Sequence, residues 1–93
     1  MKKDYLGVFK RFVPLEAADY CLALYQQHGF EFKIKKSRRT TFGDYRFDPT
    51  HQKHVITINN DLNYYAFLIT YLHEVAHLIT YQKHKNQVNP HGE

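Results

Sequence analysis

The apolar segment from position 62 to 81 constrains the fold more than any other part of the chain. Its length favours a helix over a strand, and its apolar side chains would cover nearly the whole helical circumference. Because the chain has 93 residues, enough for one domain, we predict that this helix, over about 62–83, is a buried central element. His73, Glu74 and His77 interrupt the segment, which argues against a membrane span.

One helix and three strands are predicted upstream of this segment. Pro14 suits a first helical turn and Gly29 a C-terminal cap, which predicts a helix over about 14–28. Alternating apolar residues predict strands at about 30–35, 39–47 and 54–58, the second with a bulge or bend at Gly43. We therefore expect an α+β fold, in which a small antiparallel three-stranded sheet packs against the long helix and an N-terminal helix completes the core.

The sequence HEVAH, at positions 73–77, predicts a metal site. On a helix, His73 and His77 lie on one face, about 6 Å apart along the axis, so both imidazoles reach one ion. In HExxH sites the two histidines bind zinc and the glutamate, here Glu74, acts as the general base. The alternative is a polar network of core histidines. Because three buried titratable groups are costly unless paired or bound to metal, we favour one Zn²⁺ per chain.

A catalytic zinc site needs a third protein ligand. His84 is unsuitable because it lies about 10 Å beyond His77 along the same helix. The only carboxylate after His77 is Glu93, at the end of the chain. His91 follows a polar stretch that would end the helix and turn the chain back, helped by Pro90. We therefore predict His91 as the third ligand.

HEVAH together with VNPHGE resembles the SprT-like metallopeptidases, a group that includes bacterial SprT proteins and the eukaryotic DNA-protein crosslink protease Spartan. In that family an HExxH helix is followed at about this distance by a histidine in an HG dipeptide, which matches His91-Gly92. The upstream segments RRTTFGDYRF and HVITIN are similar to the family's order of elements. The resemblance covers about Phe9 to Glu93. It implies zinc ligands and a general base at four positions: His73, His77, His91 and Glu74.

The resemblance also implies a zincin-like fold, a zinc endopeptidase activity on protein or peptide substrates, and a role in DNA-protein crosslink repair. In the family the HG dipeptide is followed by an aromatic residue and a further helix, whereas this sequence stops two residues after His91. We therefore expect residues 1–93 to form a single SprT-like domain that lacks its C-terminal end. The apolar surface that the further helix would cover is expected to favour self-association.

A basic cluster lies in the first half of the chain, within a net charge of +4. Aromatic residues flank it, and this combination is typical of surfaces that follow a nucleic-acid backbone and stack on bases. The alternative, which we favour from this signal alone, is a solvated strand face. The predicted nucleic-acid-binding residues are Lys33, Lys35, Lys36, Arg38 and Arg39.

The remaining features concern the compartment and the other classes of function. The first twelve residues lack the apolar core of a signal peptide, and the single cysteine, Cys21, fits a reducing compartment as a core thiol. We therefore expect a cytoplasmic protein without a membrane partner. Two functions compete with the peptidase: a nucleic-acid-binding module whose zinc is structural, and an interaction domain in which the HExxH triplet is a polar core network.

Overall fold

The computed structural model describes residues 4–36 and 41–87. The fold is α+β, as predicted, with a three-stranded sheet packed against the helix that carries HEVAH. The elements in chain order are α1 (Tyr5–Phe12), a 3₁₀ turn (Leu15–Ala17), α2 (Ala18–His28), β1 (Glu31–Lys35), β2 (Gly43–Asp48), β3 (Lys53–Asn59) and α3 (Tyr64–Gln87).

The sheet is mixed, which corrects the prediction of an antiparallel sheet. Its order is β1-β3-β2, and β3 pairs antiparallel with β2, as predicted, but parallel with β1. The reason is the position of β3, in which five consecutive residues, 55–59, are buried. The most apolar strand takes the centre, while β1 and β2, which carry charged residues, become the edges.

Aromatic side chains fill the core between the sheet and the helices. Phe9 of α1 stacks on Phe32 of β1 at 5.2 Å between ring centroids, and its ring also meets the edge of Tyr71 of α3 at 5.1 Å. The Tyr71 hydroxyl donates a hydrogen bond of 2.8 Å to the carbonyl oxygen of Cys21 in α2. Cys21 is fully buried, which agrees with the predicted core thiol, and burial raises the pKa of its thiol to about 11.

The helices of the first thirty residues differ in part from the prediction. Helix α1 was missed, although the Asp4 side chain caps it by accepting a hydrogen bond of 3.0 Å from the Gly7 N–H. The predicted helix over 14–28 begins with a 3₁₀ turn and becomes α-helical at Ala18. Gly29 ends it as predicted, in the left-handed conformation with φ 63°.

Helix α3 is buried on one side only, which corrects the prediction of a buried central helix. Its buried apolar residues recur three or four apart and face the sheet: Phe67, Tyr71, Val75 and Leu78. The opposite side is exposed and includes Tyr65, Ile69, His73 and His77. The helix begins after Asn63, whose side chain accepts a hydrogen bond from the Ala66 N–H at 2.8 Å. Within the two described ranges, no helix is long and apolar enough to cross a membrane.

Gly43 brings β2 very close to α3. A Cβ atom at this position would lie 2.8 Å from Cγ2 of Thr70 and 2.9 Å from the carbonyl oxygen of Thr57. The predicted lack of room for a side chain is therefore confirmed, but the register with β3 is continuous from Gly43 to Asp48 and contains no bulge. Because residue 43 is a glycine, β2 can begin in contact with Thr70 of α3, which lies one helical turn before His73 and Glu74.

Asn59, at the end of β3, holds the chain that leads into β2. Its backbone N–H donates to the Phe42 carbonyl oxygen at 2.8 Å, and its side-chain amide donates to the Thr41 carbonyl oxygen at 2.7 Å. Asn59 is only 1% exposed, so both hydrogen bonds are shielded from water. The segment before β2 is thus fixed relative to the sheet.

We predict that Gly43→Ala destabilises the fold by about 1–3 kcal/mol, because the added methyl group forces β2 away from α3. Chemical unfolding followed by circular dichroism measures this change. Thr70→Ala alone is the control, since it inserts nothing between β2 and α3 and removes the methyl group that the added Cβ would meet. A Thr70→Ala substitution added to Gly43→Ala is expected to recover part of the loss, and an unchanged midpoint for Gly43→Ala would contradict the prediction.

Candidate active site

The two histidines of HEVAH lie together on the exposed side of α3. The Nε2 atoms of His73 and His77 are 3.0 Å apart, with ring centroids at 4.5 Å and ring planes nearly perpendicular. This arrangement results from the four-residue spacing, which puts the side chains one turn apart on the same face. Both rings are exposed, so the alternative of a buried histidine network does not describe them. Of the three titratable groups that we expected to be buried, only Glu74 is buried, so the cost of burying a charged group applies to Glu74 alone.

The geometry of the two rings fits a zinc ion. Two nitrogens that each lie about 2.0–2.1 Å from a tetrahedral zinc ion are about 3.4 Å apart. The observed separation of 3.0 Å is within a small side-chain rotation of that value. No third histidine, cysteine or carboxylate joins the pair within residues 4–36 and 41–87. The predicted third ligand, His91, lies outside the described residues.

Glu74 follows His73 on α3 and lies at the boundary between the exposed side of the helix and the side that packs on the sheet. It is 7% exposed, and burial raises the pKa of its carboxyl group, opposed by the positive charge that His77 and His73 can carry. A carboxylate that is partly desolvated but still lines a cleft is a stronger base than an exposed one, which suits it to accept a proton. Glu74 therefore has the environment expected of a general base.

A cleft of about 300 Å³ lies between α3 and the start of β2. His73 and Glu74 form part of its helical wall, together with Ile69 and Thr70. The opposite wall is the segment Thr41–Gly43. The metal-ligating candidate and the base candidate therefore open into the same cavity, beside a strand edge.

The edge of β2 that borders this cleft presents unpaired backbone groups. The hydrogen bond from Asn59 to Phe42 fixes the alternation along β2, so that Asp44 and Arg46 bond to β3 while Gly43 and Tyr45 point away from it. The Thr41 hydroxyl donates to the outward carbonyl oxygen of Gly43. The Gly43 N–H and both backbone groups of Tyr45 are then directed to the side of β2 that has no neighbouring strand in the described sheet.

Three further side chains of α3 that can donate a hydrogen bond to a negatively charged substrate oxygen, Tyr71, Tyr81 and His84, do not line the cleft. Tyr71 is fully buried and its hydroxyl is engaged with Cys21, so it is excluded. Tyr81 stacks on Phe47 at 5.4 Å between centroids, and His84 is an exposed residue further along α3.

His54, in β3, is half buried. It lies against Tyr45, whose hydroxyl is 2.7 Å from His54 Nδ1. Sequence reasoning missed this cluster of Tyr45, Phe47, His54 and Tyr81 because it joins three elements.

The predicted nucleic-acid-binding residues are only partly described. The Nζ atom of Lys33 lies 3.6 Å from Oε2 of Glu31 on the same strand, so the positive charge of Lys33 is partly compensated. Lys35 and Lys36 are exposed at the end of β1, and no ion pair involves them within the described part of the chain. Arg38 and Arg39 lie outside the described residues.

The chain was compared with protein families, curated proteins and solved structures. The model of the SprT-like family matches residues 15–93. This chain belongs to the SprT-like family. Comparison with curated proteins gives no match, and comparison with solved structures gives none.

The family match agrees with the resemblance that HEVAH and VNPHGE suggested. It includes the sheet and all of α3 in this SprT-like chain, whereas α1 precedes it. The family is one of metalloprotease-related domains, so this chain is a metalloprotease-related domain. Two residues of its HExxH sequence, His73 and Glu74, line the cleft.

We predict that this SprT-like domain binds one Zn²⁺ per chain, and that His73→Ala, His77→Ala and His91→Ala each weaken binding by more than about 100-fold. Competition with a chromophoric chelator measures the affinity. His84→Ala is the matched control, because His84 is an exposed histidine on the same helix and is expected to leave the affinity unchanged. Full zinc affinity in His73→Ala or His77→Ala would contradict the assignment.

Proposed function

We propose that this SprT-like domain is a zinc-dependent endopeptidase. One observation supports the proposal. The Nε2 atoms of His73 and His77 are 3.0 Å apart, and the buried carboxylate of Glu74 lies beside them at a cleft that borders a strand edge. A purely structural zinc site has no need of a cleft or of a carboxylate that opens into it. A peptidase needs both.

Zinc in this site would be held by His73, His77 and His91. The chemistry that zinc supplies in such a site is polarisation of a carbonyl group and acidification of water. His73 lines the cleft, so a substrate in the cleft can reach a metal ion held by His73 and His77. His77, one turn further along α3, faces solvent next to it.

Glu74 would move the proton. Its carboxylate accepts a proton from the attacking water molecule and later passes it to the leaving amine, so no covalent intermediate with the protein is needed. Its raised pKa favours this double role, because a stronger base accepts the proton more readily and the protonated form then has a longer lifetime.

The substrate would bind as an extended strand along the edge of β2 that has no neighbouring strand in the described sheet. Main-chain hydrogen bonds to Tyr45 and to the Gly43 N–H hold an added strand by β-augmentation. Helix α3 packs against β2 and β3, so a peptide on the β2 edge, and not one on the β1 edge, passes close to HEVAH.

We predict that Glu74→Gln lowers the rate of peptide hydrolysis by at least about 100-fold while one zinc ion stays bound. The amide has nearly the shape of the carboxylate but does not accept the proton. Cleavage of an unfolded protein substrate, followed by mass spectrometry, measures the rate, and elemental analysis measures the zinc. Glu16→Gln, an exposed change in the 3₁₀ turn, is the control. Unchanged hydrolysis in Glu74→Gln would eliminate the proposal.

We further propose that the substrates include DNA-associated proteins. Lys35 pairs with Asn59, and Asn59 bonds to Phe42, so the basic end of β1 and the start of the cleft lie in one row across the sheet. Two strand spacings separate them, about 10 Å. A nucleic acid held by Lys35 and Lys36 would thus lie beside the cleft.

We predict that reversing both charges, Lys35→Glu with Lys36→Glu, weakens binding of a single-stranded oligonucleotide and reduces the salt slope of the affinity by about two. Fluorescence anisotropy over a range of salt concentrations measures both effects. Lys10→Glu with Lys83→Glu is the control, because it changes net charge equally at two exposed sites on other elements. Equal losses from both pairs would assign the effect to net charge alone and eliminate a binding site at Lys35 and Lys36.

A further inference from the structure

The cleft has a more specific shape than binding a peptide backbone requires. Its mouth is flanked by Ile69, which is 67% exposed, and Phe42, which is 61% exposed. Large apolar side chains so exposed on opposite walls of one cavity gain contact area only when something apolar lies between them. At about 300 Å³ the cavity is at the lower end of ligand-site volumes, a size suited to one side chain.

Gly43 determines which side chain of a bound peptide enters the cleft. The missing Cβ of Gly43 would point towards Thr70, so this position faces α3. Residues directly opposite each other on neighbouring strands share a face of the sheet. The peptide residue opposite Gly43 therefore also faces α3. Because Gly43 has no side chain of its own, the space on this face stays open for the side chain of the peptide.

The next peptide side chain on the same face lies two residues away, opposite Tyr45. That position is already occupied, because Tyr45 contacts His54 and lies 6.3 Å from Tyr81 between ring centroids. One peptide position is thus received in a cavity, whereas the following position on that face meets an aromatic cluster that is already packed.

We propose that the cleft between Ile69 and Phe42 is a selectivity pocket for a single aliphatic or aromatic side chain of the substrate, next to the bond to be cleaved. The proposal builds on the peptidase function above. His73 and Glu74 line the same cavity, so a side chain seated there brings its own backbone to the reacting groups. Ile69 and Phe42 are then the residues that determine specificity.

The test compares the binding of two blocked ten-residue peptides that differ only at one central position, leucine in one and serine in the other. The protein is the full chain with zinc and with Glu74→Gln, so that the peptides survive the titration. The methyl signals of Ile69 and Thr70 report binding by NMR. We expect about tenfold tighter binding of the leucine peptide, with the largest shifts at these two methyl groups.

Ile69→Asp is expected to abolish the preference, and Leu15→Asp, at a side chain with a similar exposed fraction of 69%, is expected to keep it. Equal affinities of the two peptides, or shifts remote from Ile69 and Thr70, would overturn the pocket whether or not the unmodified chain cleaves peptides. A leucine preference that depends on Ile69, in a chain that hydrolyses no peptide, would instead eliminate the peptidase function and leave the pocket established.

Discussion

The packing of one face of α3 against the sheet is the interaction on which the rest of the structure depends. Phe67, Tyr71, Val75 and Leu78 are buried at helical spacing and join the aromatic core around Phe32. Once this face is buried, the rotation of the helix is fixed, and the positions of the other side chains follow. His73 and His77 are directed outwards, and Glu74 lies at the boundary, buried yet in contact with the cleft.

This division explains how one short motif supplies groups with different environments. The imidazoles stay in water, where they remain accessible and need no buried partner. The carboxylate is desolvated by burial, which raises its pKa. Neighbouring residues on a helix point about 100° apart, so a partner strand on one side is enough to create the difference. The close approach at Gly43 provides that strand.

The sequence predicted the helix, the spacing of its histidines and the α+β class, because these depend on local periodicity. It did not predict that β3 lies between the other two strands. Strand order depends on which strand would expose the most apolar surface at an edge of the sheet, and this requires a comparison of all three strands. It also overestimated the burial of α3, because an apolar count does not distinguish a covered face from an exposed one. Tyr65 and Ile69 belong to that count and are exposed. The cleft and the cluster around His54 were beyond prediction for the same reason: each combines residues from distant segments.

The hydrogen bonds of Asn59 give this position an influence that its location does not suggest. The residue does not line the cleft, yet it donates hydrogen bonds to the carbonyl groups of Thr41 and Phe42, which form part of one wall of the cleft. The distance between that wall and α3 is therefore set from the end of β3. A substitution at this one buried amide would shift that wall while every residue that lines the cleft stayed the same.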